Sequence, residues 1–221
     1  MTTDTDKLIS DLTKDLKPVK RLPRVALRAG LWAVFTLGAI AVAICAFTKG
    51  PREDLHTAAH NHVFCCETLA ILVAGVLATV AAFRLCVPDV KVRGVVQAMT
   101  GLATFIWLTL IGAQVHRAGL VPPEPAGEPC LTDLSLFMAV PLLGAVFMVM
   151  RAASVFPALA GYCAVLATGS FGALGMRLLC ANDEPAHLLV WHFLPVMIFA
   201  LCGLPLGKIL LKMQPPKKIA T

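Results

Sequence analysis

The chain has 221 residues, 58% of them hydrophobic and 14% charged, with a formal net charge of +6 and a mean hydropathy of +0.80. A soluble domain of this size carries about 25% charged residues, so a water-soluble globular fold is excluded. The basic balance calls for no direct nucleic-acid contact, because juxtamembrane Lys and Arg facing anionic lipid account for most of it.

Residues 1–26 are polar and charged. They are too long for a signal-peptide n-region, and no convincing cleavage site follows, so the first apolar run reads as an uncleaved anchor. Within this tail Leu8, Leu12 and Leu16 recur at i+4, with Ile9 beside them and Val19 further on. The spacing predicts a short amphipathic helix, started by Asp4 or Thr5 and ended by Pro18. At about a dozen residues such a helix is marginal alone. It gains stability by docking into a partner's groove or by lying on a membrane. Asp11 and Asp15 alternate with Lys7, Lys14 and Lys17, which argues against a purely basic lipid anchor and favours a protein partner.

Six apolar runs follow, at 27–47, 64–86, 95–115, 131–150, 155–179 and 187–211. Each is long enough to cross a hydrocarbon core of about 30 Å. The short alternating segments of a membrane β-barrel are missing. The expected fold is therefore an all-α membrane protein, a bundle of six transmembrane helices with a short cytoplasmic N-terminal amphipathic helix. The expected divisions are a cytoplasmic tail at 1–26, a membrane domain at 27–211 and a second cytoplasmic tail at 212–221. Most Lys and Arg fall on one side, in the N-terminal tail, the second and fourth loops and the C-terminal end. Only Lys49, Arg52, Arg117 and Arg177 fall on the other. The positive-inside rule then puts both termini in the cytoplasm.

The loops on the opposite, outer side lie at about 48–63, 116–130 and 180–186, and the Pro-rich 119–130 stretch should be stiff and extended. In the fifth run Ala160, Ala164, Thr168 and Gly172 form a ridge at i+4 steps, with Gly161, Gly169 and Gly175 as further points of close approach; ordinary helix packing explains them. Pro141, Pro195 and Pro205 lie inside runs and should kink or weaken them.

Cys45, Cys86, Cys163 and Cys202 fall within spans or at the inner interface, where free Cys is a good small packing residue. Cys65, Cys66, Cys130 and Cys180 fall at the outer face. Helical rise places Cys130 about 31 Å from Arg151 and Cys180 about 39 Å from Ser154, so both reach past the core on the same side. In an oxidising compartment such thiols are paired, metal-bound or poised to react. A Cys65–Cys66 bridge would be strained, since adjacent Cα atoms lie about 3.8 Å apart. Cys130 with Cys180 is the preferred functional pair; the bland alternative is two independent buried thiols.

The stretch from Arg177 to Pro195 is a short polar break between two long apolar runs. It packs Cys180, Asp183, Glu184, His187, Trp191, His192 and Pro195 together, which suggests a sensor or a redox site. Cys65, Cys66, His116, Asp183, His187 and His192 are candidate metal ligands, and thiolate with imidazole suits zinc, cadmium or copper(I). No C-x-x-C or H-E-x-x-H spacing is present. No cofactor is therefore required, and the expectation is transient heavy-metal binding at the outer cysteines. His192 lies about one turn into the last run, and a His there usually faces the bundle, in a structural or a functional role.

Three functions compete: a regulator, a membrane thiol–disulfide oxidoreductase and a small metal transporter. The oxidoreductase fits four outer Cys by number but lacks C-x-x-C. The transporter lacks polar groups near mid-bilayer, Gln97 and Gln114 lying near the ends of the third run.

Two motifs decide between them. The tail reads DxLIxxLxxDLxPVxRL from Asp6 to Leu22, and the last outer loop reads LxCxxDxPxHLLxWHxLPV from Leu178 to Val196. With six spans and an outer Cys130 before the fourth, the chain resembles the NrsF-type membrane anti-sigma factors of proteobacteria over nearly its whole length. The resemblance implies an inner-membrane protein, not an enzyme, that holds an extracytoplasmic-function sigma factor inactive. It implies that Cys130 and Cys180 sense stress, heavy metals included. It implies that the tail, through Leu8, Ile9, Leu12, Asp15, Leu16 and Val19, takes part in binding the sigma factor. The H-x-x-x-C-x-x-C zinc motif of the other large anti-sigma class is missing, and Cys65 and Cys66 match nothing in the family pattern.

Overall fold

The computed structural model describes residues 2–14, 23–48, 50–86, 90–119, 128–152 and 154–211. A short α1 (Thr2–Thr13) is followed by α2 (Val25–Phe47), a one-turn α3 (Leu55–Ala58), α4 (His62–Arg84), α5 (Val90–Ala118), α6 (Glu128–Met150), α7 (Pro157–Leu179) and α8 (Pro185–Leu210). Among the described residues there is no strand, and six helices, α2 and α4 to α8, are long and apolar enough to cross a membrane. The predicted all-α, six-span fold is what forms.

α7 is the hub. It packs against α8, α4, α6 and α2 and is buried over most of its length, while the other five turn broad apolar faces outward, as lipid-facing helices do. Its small residues explain this. Ala160, Ala164 and Thr168 are buried, Gly172 faces Leu134 and Met138 of α6, Gly175 faces Ile40 and Phe137, and Gly169 faces Val196 of α8. Small side chains let backbones approach, which is the main source of helix attraction in lipid.

At the end of the bundle where α2 begins, Arg28 is buried and donates from Nη2 to Met148 O at 2.8 Å, over the Phe83 ring. A cation on the last carbonyls of α6 suits the negative end of that helix dipole. Midway, Trp32 Nε1 donates to Pro141 O at 3.1 Å and its ring meets Phe171 edge-on. Replacing Trp32 with Phe should cost about 1–3 kcal/mol, the penalty for leaving the buried carbonyl unpaired. Thermal unfolding in detergent measures this, and no change would mean the bond contributes nothing.

α1 differs from expectation at its start. It starts before Asp4 and Thr5, so Asp4 sits in the first turn instead of capping it, where its charge still favours the helix dipole. Its described part ends at Thr13, whose Oγ1 donates to Ile9 O at 2.8 Å, and the predicted stop at Pro18 lies outside the described residues. The predicted contact residues Asp15, Leu16 and Val19, the tail 212–221 and the Pro-rich 120–127 lie outside the described residues. Cys130, expected to end a loop, already lies in the first turn of α6.

Candidate functional site: a cysteine–histidine cluster at one end of the bundle

The cluster forms where α6 begins, α7 ends and α8 begins. α7 stops at Leu179, and Cys180 turns extended (φ −80°, ψ 122°) while its N–H still bonds Met176 O at 2.7 Å. Asn182 Oδ1 then accepts from Glu184 N at 2.9 Å, a local Asx turn. Glu184 is extended, as a residue before proline must be, and Pro185 opens α8.

The first turns of α8 are not regular. Leu188–Phe193 forms a π-helical turn in which Leu194 N–H reaches Leu189 O. Pro195 is the physical cause: it has no N–H for the Trp191 carbonyl, and its ring crowds that carbonyl, so the preceding turn widens. The consequence falls on two histidines five residues apart. In an α-helix they would point about 140° away from each other. In a π-turn, with its i→i+5 bonds, they stack on one face. The His187 and His192 rings meet edge to face with centroids 5.3 Å apart.

Both rings turn toward the two thiols. Cys130 Sγ and Cys180 Sγ lie 3.7 Å apart, and His187 Nε2 is 3.5 Å from the first and 3.6 Å from the second. With His192 they form a group whose four ligand atoms all lie within 4.8 Å of one another. His187 and His192 are buried, and neither ring nitrogen of His192 has a hydrogen-bond partner. The two thiols share a hydrogen bond that either can donate, and accepting it draws the Cys180 thiol below its usual range. The geometry can support disulfide formation, soft-metal coordination or thiolate attack.

The other predicted ligands are elsewhere. Asp183 is taken up by two arginines. Cys65, Cys66 and His116 are exposed and not part of the group; Cys65 Sγ lies 3.1 Å from Ala59 O. His56, in α3, and His60 just after it are exposed, with rings 4.8 Å apart.

A charge network that sequence reasoning missed holds the cluster. Gly50, at φ +92°, turns the chain out of α2 and brings Arg52 beneath the end of α7. Arg52 is buried. It forks onto Asp54 at 2.7 Å through two nitrogens and onto Asp183 at 2.7 and 3.0 Å. It also donates to Cys180 O at 3.1 Å, and its own N–H reaches Leu178 O at 2.9 Å. Arg177, buried over the Phe64 ring, bonds Asp183 at 2.7 Å and pairs with the buried Glu67 of α4 at 3.6 Å. Burial pushes the Asp183 carboxyl up, but the bonds and charges of Arg52 and Arg177 outweigh it and hold the group below the usual carboxylate range. The signal in the sequence was Glu67, the one acid in the run 64–86. An acid inside an apolar run needs a buried partner.

A family model described as "Negative regulator of sigma F" (NrsF) matches residues 12–213, nearly the whole chain. No curated protein and no solved structure matches it.

Proposed function

Since the chain belongs to the NrsF family of negative regulators of a sigma factor, we propose that it keeps an extracytoplasmic-function sigma factor inactive at the inner face of a bacterial inner membrane. It releases that factor when Cys130 and Cys180, on the outer face, react with a heavy-metal ion or an oxidant. Residues 1–26 are the sigma-binding tail, 27–211 the membrane domain and 212–221 a second cytoplasmic tail. Regulating a sigma factor is not an enzyme class, and the four outer cysteines need no catalytic explanation.

The observation that carries the sensing half is the 3.7 Å between Cys130 Sγ and Cys180 Sγ, which are 50 residues apart in the chain and rooted in different helices. An oxidant such as hydrogen peroxide takes an electron pair and two protons from the two thiols. The S–S bond forms as the O–O bond breaks, and two waters leave. Closing that bond draws the start of α6 toward the end of α7.

The partner half is supported by the tail. Leu8, Ile9 and Leu12 are 59, 53 and 67% exposed on one stripe of α1, an apolar face with no partner among the described residues. In this reading the stripe continues through Asp15, Leu16 and Val19 into the sigma factor's groove. The Lys and Arg distribution supports the orientation.

α6 links the halves. It carries Cys130 at one end, Pro141 O bonded to Trp32 in the middle and Met148 O bonded to Arg28 at the other, and both partners lie on α2, which the tail enters. A shift of α6 therefore moves the root of the tail. Taking the tail from 99:1 bound to 1:99 requires about 5.5 kcal/mol of differential free energy between the two states.

The test uses the full chain in membranes with its sigma factor and a promoter reporter. Leu8→Asp with Leu12→Asp should cut retention of the sigma factor by at least about 100-fold, since each apolar side chain contributes about 1.5–3 kcal/mol. Cys130→Ser with Cys180→Ser should retain the factor and stay silent under cadmium or peroxide. Undiminished retention by the tail variant, or a normal response from the cysteine variant, overturns the corresponding half.

A further inference from the structure

We infer that Cys130, Cys180, His187 and His192 form a closed four-coordinate site that holds a divalent d10 cation of the zinc class in the unstressed protein. The inference concerns the same thiols as the sensor proposed above, but it rests on their geometry alone. Metal content and sigma release are measured separately, so each reading can fail without the other.

Three observations support it. The first is metric. A tetrahedron with zinc–sulfur bonds of about 2.3 Å and zinc–nitrogen bonds of about 2.0–2.1 Å has an S···S edge of about 3.8 Å and S···N edges of about 3.5 Å. The two sulfurs lie 3.7 Å apart, and His187 Nε2 lies 3.5 and 3.6 Å from them. None of the other edges exceeds 4.8 Å, and an ion drawing on its ligands would shorten them.

The second is an orphan. His192 is 2% exposed, and neither of its ring nitrogens has a hydrogen-bond partner. An imidazole buried this way is destabilising unless something binds it. A cation seated among the two sulfurs and His187 would bind it.

The third is how the ring is brought there. An ordinary helix would direct His192 away from His187, and only the π-turn before Pro195 sets both toward the thiols. Two thiolates with a dication make a neutral site, which an apolar bundle end tolerates far better than free thiolates. Arg52 and Arg177 already have Asp54, Asp183 and Glu67 as counter-charges, so the cluster needs neither of them. The ligand set is two soft sulfurs and two imidazoles, which fits zinc or cadmium and suits magnesium or calcium poorly.

Cadmium would enter by exchange. It is the larger ion, with longer bonds to sulfur, and would spread the four ligands. Because one ligand stands on α6 and two on α8, exchange pushes those helices apart at this end.

The experiment is metal analysis of the full chain, purified in detergent with a tag free of histidine. The wild-type chain should carry about one zinc, as a closed Cys2His2 set binds one. Cys180→Ser and His192→Ala should each carry less than about a tenth of that. Cys65→Ser with Cys66→Ser should keep the full amount. A fall in His192→Ala could also follow from misfolding, so His192→Cys is the second variant. It should keep the metal, and its cobalt-substituted form should show a stronger thiolate-to-cobalt charge-transfer band from the third sulfur. Wild-type chain that stays metal-free after incubation with zinc overturns the inference. So does a Cys130–Cys180 disulfide in the unstressed protein, zinc unaffected by His192→Ala, or an unchanged cobalt spectrum in His192→Cys.

Discussion

Arg52→Met should lower the stability of the purified chain by about 2–4 kcal/mol and expose residues 50–61 to protease. Among the described residues Arg52 ties the loop after α2 to the end of α7 through its side chain. It reaches Asp54 and Asp183 through forked bonds and also holds Cys180 O. Removing a guanidinium from a buried position strands those acceptors, which costs about 3–5 kcal/mol when all partners are buried. Here Asp54 and Asp183 are 52 and 45% exposed, and water recovers part of the loss, which sets the lower figure. Arg52→Lys should recover only a small share, because an ammonium cannot fork onto two carboxylates at once. The effect should reach the cluster, since Arg52 grips the carbonyl of one of its thiols: Cys180 should alkylate faster in the variant. Unchanged denaturant unfolding in detergent, with unchanged Cys180 reactivity, would mean the clamp is ornamental.

What the sequence revealed and what it hid have separate causes. The six runs predicted the six spans to within a few residues, because lipid selects length and apolarity and little else. α5 is the widest departure, at Val90–Ala118 against 95–115, since its polar ends extend the helix beyond the apolar run. The ridge in the fifth run was legible because small residues at i+4 mean close approach, whatever the partner helix. That Cys130 and Cys180 lie on the same side followed from counting helical rise from two inner loops; the 3.7 Å between their sulfurs did not. Nor did the partnership of His187 with His192. Regular helix geometry separates residues five apart, and a kink or local weakening expected at Pro195 does not by itself say that the turn before it widens to bring them together. Cys65 and Cys66 looked like ligands because they are outer thiols in sequence, yet no periodicity rule says which neighbour a residue at a helix start will meet. Glu67 and Arg177 were hidden by averaging: one acid in a window of Leu, Ala and Val barely alters its hydropathy, although burying that acid requires a cation on another helix.

Gly161→Ala is expected to be among the most damaging single-atom changes in the membrane domain, costing about 3 kcal/mol or more. A Cβ added at Gly161 would lie 2.6 Å from Gly207 Cα and 2.9 Å from Gly207 N. A Cβ at Gly203 would lie 2.7 Å from Gly161 O. One at Gly207 would meet Pro157 O and lie 3.0 Å from Gly161 Cα. Every one of these neighbours is backbone, so no rotamer change relieves the clash, and the two helices must separate along the crossing. That separation undoes the packing on which helix association in lipid depends. It also travels. Val196 packs into the notch at Gly169, one turn beyond His192, so a displaced α8 carries both histidines away from the thiols. Gly161→Ala should therefore reduce the yield of monodisperse protein, its melting temperature in detergent and its bound metal together. Gly30→Ala and Gly38→Ala are the matched controls, since nothing lies within 4 Å of an added Cβ there. They should be neutral or more stable by up to about 1 kcal/mol, the usual gain from Gly to Ala in a helix. Equal behaviour of Gly161→Ala and Gly30→Ala would show that the α7–α8 contact is looser than the structure has it, and that the histidines reach the thiols by some other support.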